Sequence, residues 1–564
     1  MSDDTSDRLH RTPRVLSSML LAFVAGSLPM RAPSGRPAPR TRAASRLLIA
    51  VDPTRADTLQ NQIYTAVRRA ILDGTLSPGA RLQSSRALAA DLSVSRTTTL
   101  LAYEQLTAEG YLETSHGSGT FVSRELPDDR VARLPQIPSA ALHRPLSKRG
   151  GTLLGVPPAA QRLGPGARPF RLGVPALDLF PIRLWTQLAQ RRVRSLSMAQ
   201  LDYGDILGYR PLRDAIAAHV QLARGTVCTP EQVVIVAGAQ RGLDLLSRLL
   251  LDPGDVVLVE DPGYPGARGA LLDAGAVIRP APVDSEGLDI EAAARRTPGA
   301  KLVYVTPSHQ FPLGVLMSLR RRLALLDWAA RAGAWVLEDD YDSEFRYGAR
   351  PIPCLQGLDD GGRVLYIGTF AKALFPSLRL GFVVVPPALV EPLRAARRAA
   401  DGQPHHLDQM VLTDFIADGH YERHLRRMRG VYTERLQAVL DSAARYCGET
   451  LRLRPIAAGL HLVGDLSEVA DHEATAAAAA RGIEVMPLTS FCVFPRTRVN
   501  GLVLGFGCLR PQALSEGMAQ LAAALDDVRR RNRPRAVPHQ KRESSPRPVP
   551  ARTSTSPRRR PTGE

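Results

Sequence analysis

Residues 335–347 read WVLEDDYDSEFRY, and residues 364–381 read VLYIGTFAKALFPSLRLG. Each opens as a short apolar run and then turns polar, at Glu338–Asp339–Asp340–Tyr341 in the first and Gly368–Thr369–Phe370–Ala371–Lys372 in the second. An apolar run without alternation reads as a strand covered on both faces. Comparable runs are Val233–Ala237, Val256–Glu260, Leu302–Val305 and Phe382–Val385, and helical patterns such as Arg241–Leu251 and Leu319–Ala332 lie between them. Buried strands alternating with helices predict a mainly parallel sheet in an α/β/α sandwich. Ligands of such sheets bind beyond the carboxyl ends of the strands, and that is where these polar runs fall.

A lysine at a strand end can form a Schiff base with an aldehyde cofactor, and Lys372 is one of few lysines in an arginine-rich chain. Asp339 can pair with a protonated pyridine nitrogen, and the Tyr341 phenol can hydrogen-bond a ring oxygen. Arg379 can grip a phosphate with two N–H groups. Ala239 and Gln240, after Gly238, open a helix whose first amides can hold the same phosphate. Tyr264, in Asp261–Pro262–Gly263–Tyr264–Pro265, can pack on the ring. Singly, each has a plainer reading: Asp339 as a helix cap, Arg379 as a surface ion pair, Tyr264 as turn packing. Taken together in this order they specify one cofactor.

Toward the N-terminus, Leu59–Leu72 reads as a helix with Ile63, Val67 and Ile71 on one face. Gly74 and Pro78–Gly79 stop it. Ser84 or Ser85 can cap a second short helix through Leu92, and Ser95 a third, Arg96–Glu109, with Leu100, Tyr103 and Leu106 inward. Tyr111–Leu112 and Phe121–Val122 can pair around the tip His116–Gly117–Ser118–Gly119. This is a helix-turn-helix with a β wing. Its third helix would enter a major groove by its N-terminal end, where Arg96, Thr97, Thr98 and Thr99 can reach base edges or phosphates. Arg86 can reach the backbone, and the wing glycines allow close approach to a minor groove. A three-helix protein-interaction module is the plainer alternative.

The chain has 564 residues and a formal charge of +18. Residues 1–50 hold eight Arg against three Asp, and residues 531–564 hold ten basic residues against two Glu. Those ends therefore supply 13 of the 18 charges, while residues 51–124 carry seven Arg and seven acidic residues, net zero. Net charge alone thus gives no case for nucleic acid; charge segregation must do so. The five cysteines lie far apart with no metal-ligand spacing, which excludes a disulfide scaffold and predicts a reducing, cytoplasmic setting and no metal site. No apolar stretch of 18 residues is present. Arg11 and Arg14 before Val15–Met30 look like a short signal peptide, but no small-x-small cleavage site follows. The expected organisation is a disordered basic extension at 1–46, a DNA-binding unit at 47–124 and a flexible linker at 125–167. A large cofactor-binding domain follows at 168–530, then a disordered basic tail at 531–564.

Residues 54–123 resemble the GntR-type winged helix-turn-helix domain. The resemblance rests on Gln62–Ile63, Leu76–Ser77–Pro78–Gly79, Ser84–Ser85–Arg86, Val94–Ser95–Arg96, Glu109–Gly110 and Gly119–Thr120–Phe121–Val122, among others. Gln83 departs from it, standing where the family usually has Pro. The resemblance implies Arg86, Arg96, Thr98 and Gly119 as DNA contacts; Ser95 and Thr97 flank them at the same helix start. Residues 170–526 resemble the fold type I aminotransferases that bind pyridoxal phosphate. The two units together resemble the MocR/GabR regulators, through Tyr203–Gly204–Asp205, Gly208–Tyr209, Thr306–Pro307–Ser308–His309–Gln310–Phe311–Pro312–Leu313–Gly314, Glu338–Tyr347 and Gly368–Lys372. That implies Lys372 as the Schiff-base lysine, Asp339 on the pyridine nitrogen and Tyr341 on the ring oxygen. It also implies Arg379, Thr369 and Gln240 on the phosphate, and Tyr203 reaching the phosphate of a neighbouring subunit in a head-to-tail dimer.

Three positions depart from the aminotransferase pattern. Phe311 replaces an Asn that bonds the ring oxygen. Ala239 and Ala371 replace hydroxyl residues near the phosphate. Val503 stands where an Arg holds a substrate carboxylate, unless Arg268, Arg496 or Arg498 takes over. The resemblance implies a transcriptional regulator that senses an amine or amino acid by imine exchange at Lys372. Two alternatives stand beside it: an active aminotransferase with an attached DNA reader, and a DNA-binding protein whose large domain only dimerises.

Overall fold

The computed structural model describes residues 49–115, 118–127, 146–158, 163–164, 166–348, 352–402, 405–494 and 499–532. The extension at 1–46, the wing residues His116 and Gly117, most of the linker, Arg496, Arg498 and the tail beyond Asn532 lie outside them. The chain divides into two compact units, residues 1–144 and 145–564.

The first unit contains α1 (Leu59–Leu72), α2 (Ser85–Asp91), α3 (Arg96–Ala108) and a hairpin of β1 (Leu112–Ser115) and β2 (Gly119–Val122). Thr58, Ser84 and Ser95 each accept a hydrogen bond from a first-turn amide, at Asn61, Ala87 and Thr98 respectively. A cap of this kind is worth about 1 kcal/mol, enough to start helices as short as α2. Ile63, Val67, Ile71, Leu88, Ala102, Tyr103 and Leu106 form the core.

Two expectations for α3 change. Leu100 is 40 % exposed, whereas Thr99 is fully buried. The Thr99 hydroxyl donates to the Ser85 carbonyl at 2.9 Å. That bond ties α3 to α2, turns the buried stripe to 99, 102, 103 and 106, and removes Thr99 from any surface. The wing is also longer than anticipated, with four antiparallel pairs from Leu112 opposite Val122 to Ser115 opposite Gly119. Gly119 adopts φ +110, and a Cβ there would lie 3.1 Å from the Arg81 guanidinium.

The second unit is built on an eight-stranded sheet. Its strands are β3 (Val233–Val236), β4 (Val256–Asp261), β5 (Val277–Asp284), β6 (Gly287–Leu288), β7 (Leu302–Val305), β8 (Trp335–Asp340), β9 (Val364–Thr369) and β10 (Gly381–Val384). They lie in the order β3-β10-β9-β8-β7-β4-β5-β6. Strands β9, β8, β7, β4 and β5 are mutually parallel; β10 is antiparallel to both neighbours. Strands β3, β7, β9 and β10 are buried along their whole length. Unbroken Val/Ile/Leu runs therefore read correctly as strands covered on both faces.

A second, antiparallel sheet of β11 (Leu451–Leu453), β12 (His461–Leu466), β13 (Met486–Pro487) and β14 (Gly501–Gly505) has the order β11-β12-β14-β13. Strands of two to six residues, one beginning with His and containing Asp465, carry too little pattern to stand out in the chain. No helix among the described residues is long and apolar enough to cross a membrane.

Candidate functional site

Because β4, β7, β8 and β9 run parallel, their carboxyl ends share one edge of the sheet. A cavity of about 320 Å³ opens there. Lys372, Asp339, Tyr341, Thr369, Ala371, Arg379, Ala239, Gln240 and Tyr264 all line it. The cofactor residues singled out from sequence between positions 239 and 379 thus face one space. Tyr203 does not: it is 89 % exposed and lines a separate shallow surface with His405 and His406.

Lys372 Nζ donates to the Gly173 carbonyl at 2.8 Å. Gly173 has φ +76, and a Cβ on it would stand 2.8 Å from that Nζ, so the approach requires glycine. Asp339, one residue before the end of β8, is buried. One carboxylate oxygen, Oδ2, accepts from the Tyr304 hydroxyl at 2.7 Å, while the other, Oδ1, is buried with no hydrogen-bond partner. Burial pushes the Asp339 carboxyl up to about 7, with the charges of Asp340 and Asp342 adding to it. Glu260, at the end of β4, is likewise pushed up to about 7 by burial, although Thr306 and Gln310 donate to it.

Two carboxyls that keep their protons in the fold bind protons that the unfolded chain releases. The folded state is therefore favoured at low pH and loses that advantage as pH rises from about 4 to about 7. The unfolding free energy of the cofactor-free protein, read from urea titrations, should fall between pH 5 and pH 7.5 by on the order of 1–3 kcal/mol. Asp339→Asn should flatten the fall; an unchanged pH profile in that variant would contradict the assignment.

Arg379 follows a short 3₁₀ turn, Pro376–Leu378, and sits in the left-handed region at φ +51. Its guanidinium donates to the Ala237 carbonyl at 3.0 Å. Gly238 has φ +84, and a Cβ there would come within 3.5 Å of the Arg379 guanidinium. Helix α4 (Ala239–Leu250) starts at once after it, so its positive end faces the same corner as Arg379. The Gln240 side chain is held by the Gly266 carbonyl at 2.8 Å. The Thr369 hydroxyl accepts from the Ala371 amide at 3.2 Å.

Sequence reasoning missed Tyr304, His309, Asp342 and His461. Tyr304, Asp342 and His461 line the cavity, and His309 is buried with its Nδ1 3.0 Å from the Asp342 carboxylate. The signal for His309 and Asp342 was available in Ser308–His309–Gln310 and Tyr341–Asp342–Ser343, but nothing in the chain says that these loops meet. Val503 is fully buried among Val463, Met486 and Phe491. Arg268 donates to the Cys492 carbonyl at 2.8 Å and does not line the cavity, so it does not replace the absent guanidinium there.

In the first unit, Arg86, Ser95, Arg96 and Thr97 are exposed, Arg96 and Thr97 in the first turn of α3. The Ser95 and Thr98 hydroxyls lie 2.7 Å apart, so both serve the helix cap.

The profile of the family "Aminotransferase class I and II" matches residues 170–501, and that of "Bacterial regulatory proteins, gntR family" matches residues 59–122. The chain is 40 % identical over 468 residues to the probable rhizopine catabolism regulatory protein MocR of Rhizobium meliloti, covering 83 % of this chain and 94 % of that protein. It is 33 % identical over 480 residues to the HTH-type pyridoxine biosynthesis transcriptional regulator PdxR of Corynebacterium glutamicum, covering 85 % and 98 %. Among solved structures, the α-aminoadipate aminotransferase LysN of Thermus thermophilus, complexed with N-(5′-phosphopyridoxyl)-L-leucine, superposes with a TM-score of 0.59 at 29 % identity. That match covers 68 % of this chain and 95 % of that one.

Proposed function

Since this chain belongs to the MocR/GabR-type regulators, a GntR-superfamily DNA reader fused to an aminotransferase-like sensor domain, we propose that it binds pyridoxal 5′-phosphate at Lys372 and senses an amine there. The observation that carries this reading is the buried, unpartnered Oδ1 of Asp339 in the wall that also presents Lys372. An orphaned buried acceptor costs about 1–3 kcal/mol, and a protonated pyridine nitrogen would relieve it. The corner formed by Gly238, the start of α4 and Arg379 suits a phosphate, with Thr369 and Gln240 beside it. When bound, the cofactor supplies an aldehyde carbon that exchanges one amine for another.

The chain's own part is to hold and to exclude. Lys372 is kept at the cavity wall by the Gly173 carbonyl. Tyr304 orients the Asp339 carboxylate. Phe311 and Leu172 add apolar wall that keeps water out. With a cofactor bound, Lys372 would leave the Gly173 carbonyl, and an amine taking its place would let Nζ return there; a change at that loop is what a DNA reader would sense. The exposed run of Met198, Leu201 and Tyr203 supports a second copy of the chain covering it, in a head-to-tail homodimer.

The test is promoter footprinting with and without cofactor and candidate amines, beside absorbance of the reconstituted protein. Cofactor-dependent protection that changes with an amine is expected. Turnover with common amino acids should be slow or absent; a kcat of roughly 1–10³ s⁻¹ would make the protein a working aminotransferase instead.

A further inference from the structure

We propose that His309 is the positioning residue for Tyr341: it clamps the phenol from two sides, where Phe311 offers no polar atom. The proposal rests on the cofactor reading above. The Tyr341 hydroxyl donates to the His309 carbonyl at 2.9 Å and lies 3.0 Å from its Nδ1. Two atoms of one residue thus fix one hydroxyl.

The imidazole is itself fixed. Its Nδ1 lies 3.0 and 3.2 Å from the two Asp342 oxygens. Asp342 is anchored in turn by the Leu460 amide at 3.2 Å. The other ring nitrogen, Nε2, is buried without a partner. A proton on Nε2 would be an unpaired buried donor, so the network assigns the proton to Nδ1. That N–H is shared between the Asp342 carboxylate and the Tyr341 oxygen. Gly459, at φ +87, leaves the room: a Cβ there would collide with the His309 ring.

The remaining neighbours add packing and charge. His461 stacks on Tyr341 at 6.3 Å and 22°, with its ring 4.7 Å from that of His309. Burial holds His461 neutral, well below the usual imidazole range, with His309 and Lys372 acting in the same direction. Burial raises the Tyr341 phenol well above its usual range and keeps it protonated, and the carboxyl groups of Asp342, Asp339, Glu260 and Asp340 act in the same direction. Phe311 meets Tyr341 edge-on at 5.9 Å and offers no polar atom.

An N–H directed at the Tyr341 oxygen draws charge from it, so its one O–H, once turned from the His309 carbonyl to the ring oxygen of a bound cofactor, would be a stronger donor there. A stronger donor on the cofactor's ring oxygen stabilises charge there, which loosens the proton responsible for the long-wavelength band. Weakening the donor should move the loss of that band to higher pH.

The experiment is a pH titration of the visible absorbance of the full chain reconstituted with pyridoxal phosphate. His309→Ala should raise the midpoint by about 0.5–1 pH unit, the scale of one hydrogen bond. Tyr341→Phe should raise it at least as far, and the double variant no further than Tyr341→Phe alone. Asn places its amide nitrogen where Nδ1 stands and Gln places it where Nε2 stands. His309→Asn should therefore restore the wild-type midpoint and His309→Gln should not. This pair decides the matter if the alanine variant does not fold. A His309→Gln midpoint at the wild-type value, or additive shifts in the double variant, would overturn the clamp. A wild-type protein that takes up no visible band overturns the cofactor reading itself, a different outcome from a band that the variants leave unmoved.

Discussion

Lys372→Ala is expected to abolish the visible band of the reconstituted protein and to make its DNA footprint indifferent to amines, while DNA binding itself survives. Lys372 is the lysine that lines the cavity, and its Nζ donates to the Gly173 carbonyl at the wall. The other lysines of the described chain, Lys148 and Lys301, do not line it. Removing Nζ takes away the amine there that can form a covalent bond to an aldehyde. The phosphate corner and Asp339 stay intact, so residual non-covalent uptake is expected, weaker by about 100-fold or more and lost on gel filtration. Lys372 is only partly buried, so the variant should fold. A band that persists in it would place the covalent link elsewhere and refute the sensing chemistry.

Arg96→Ala should remove sequence-specific protection of promoter DNA without changing the oligomeric state. Arg96 stands exposed in the first turn of α3, after the Ser95 cap. A good bidentate contact from an arginine at that position to a base edge is worth about 1–3 kcal/mol, or roughly 5- to 160-fold in affinity, and carries discrimination as well. The Ser95 and Thr98 hydroxyls are spent on the cap, so they are poor substitutes. The basic ends behave differently. Deleting residues 1–46 and 533–564 should lower affinity for any duplex and flatten its salt dependence, with the same preferred site. Footprints and salt titrations of the two variants separate these effects. Specific protection that survives Arg96→Ala would show that another element reads the site.

Much of this was legible because burial on both faces leaves a plain mark. Val233–Val236, Val364–Thr369 and Gly381–Val384 are apolar without alternation, and each is a strand of the main sheet buried along its length. Two N-caps of the first unit, Ser84 and Ser95, stand ahead of helical periodicity, a local signal that needs no tertiary information. The small antiparallel sheet left no such mark. Its strands are short, and β12 begins with His461, whose ring nitrogen meets the carbonyl of the distant Pro312. Its place in the cavity wall depends on that far loop.

Residue order alone determined that the chain carries a DNA reader and an aminotransferase-like domain, because capped helices, buried strands and the polar runs at their ends are local properties of the chain. Only the tertiary structure decided the rest. It set the rotation of α3, which buries Thr99 and exposes Leu100. It left one oxygen of Asp339 without a partner while Tyr304 took the other. It also brought His309, Asp342 and Tyr341 together. Those outcomes hang on hydrogen bonds between segments far apart in the chain, and such bonds leave no periodicity to read.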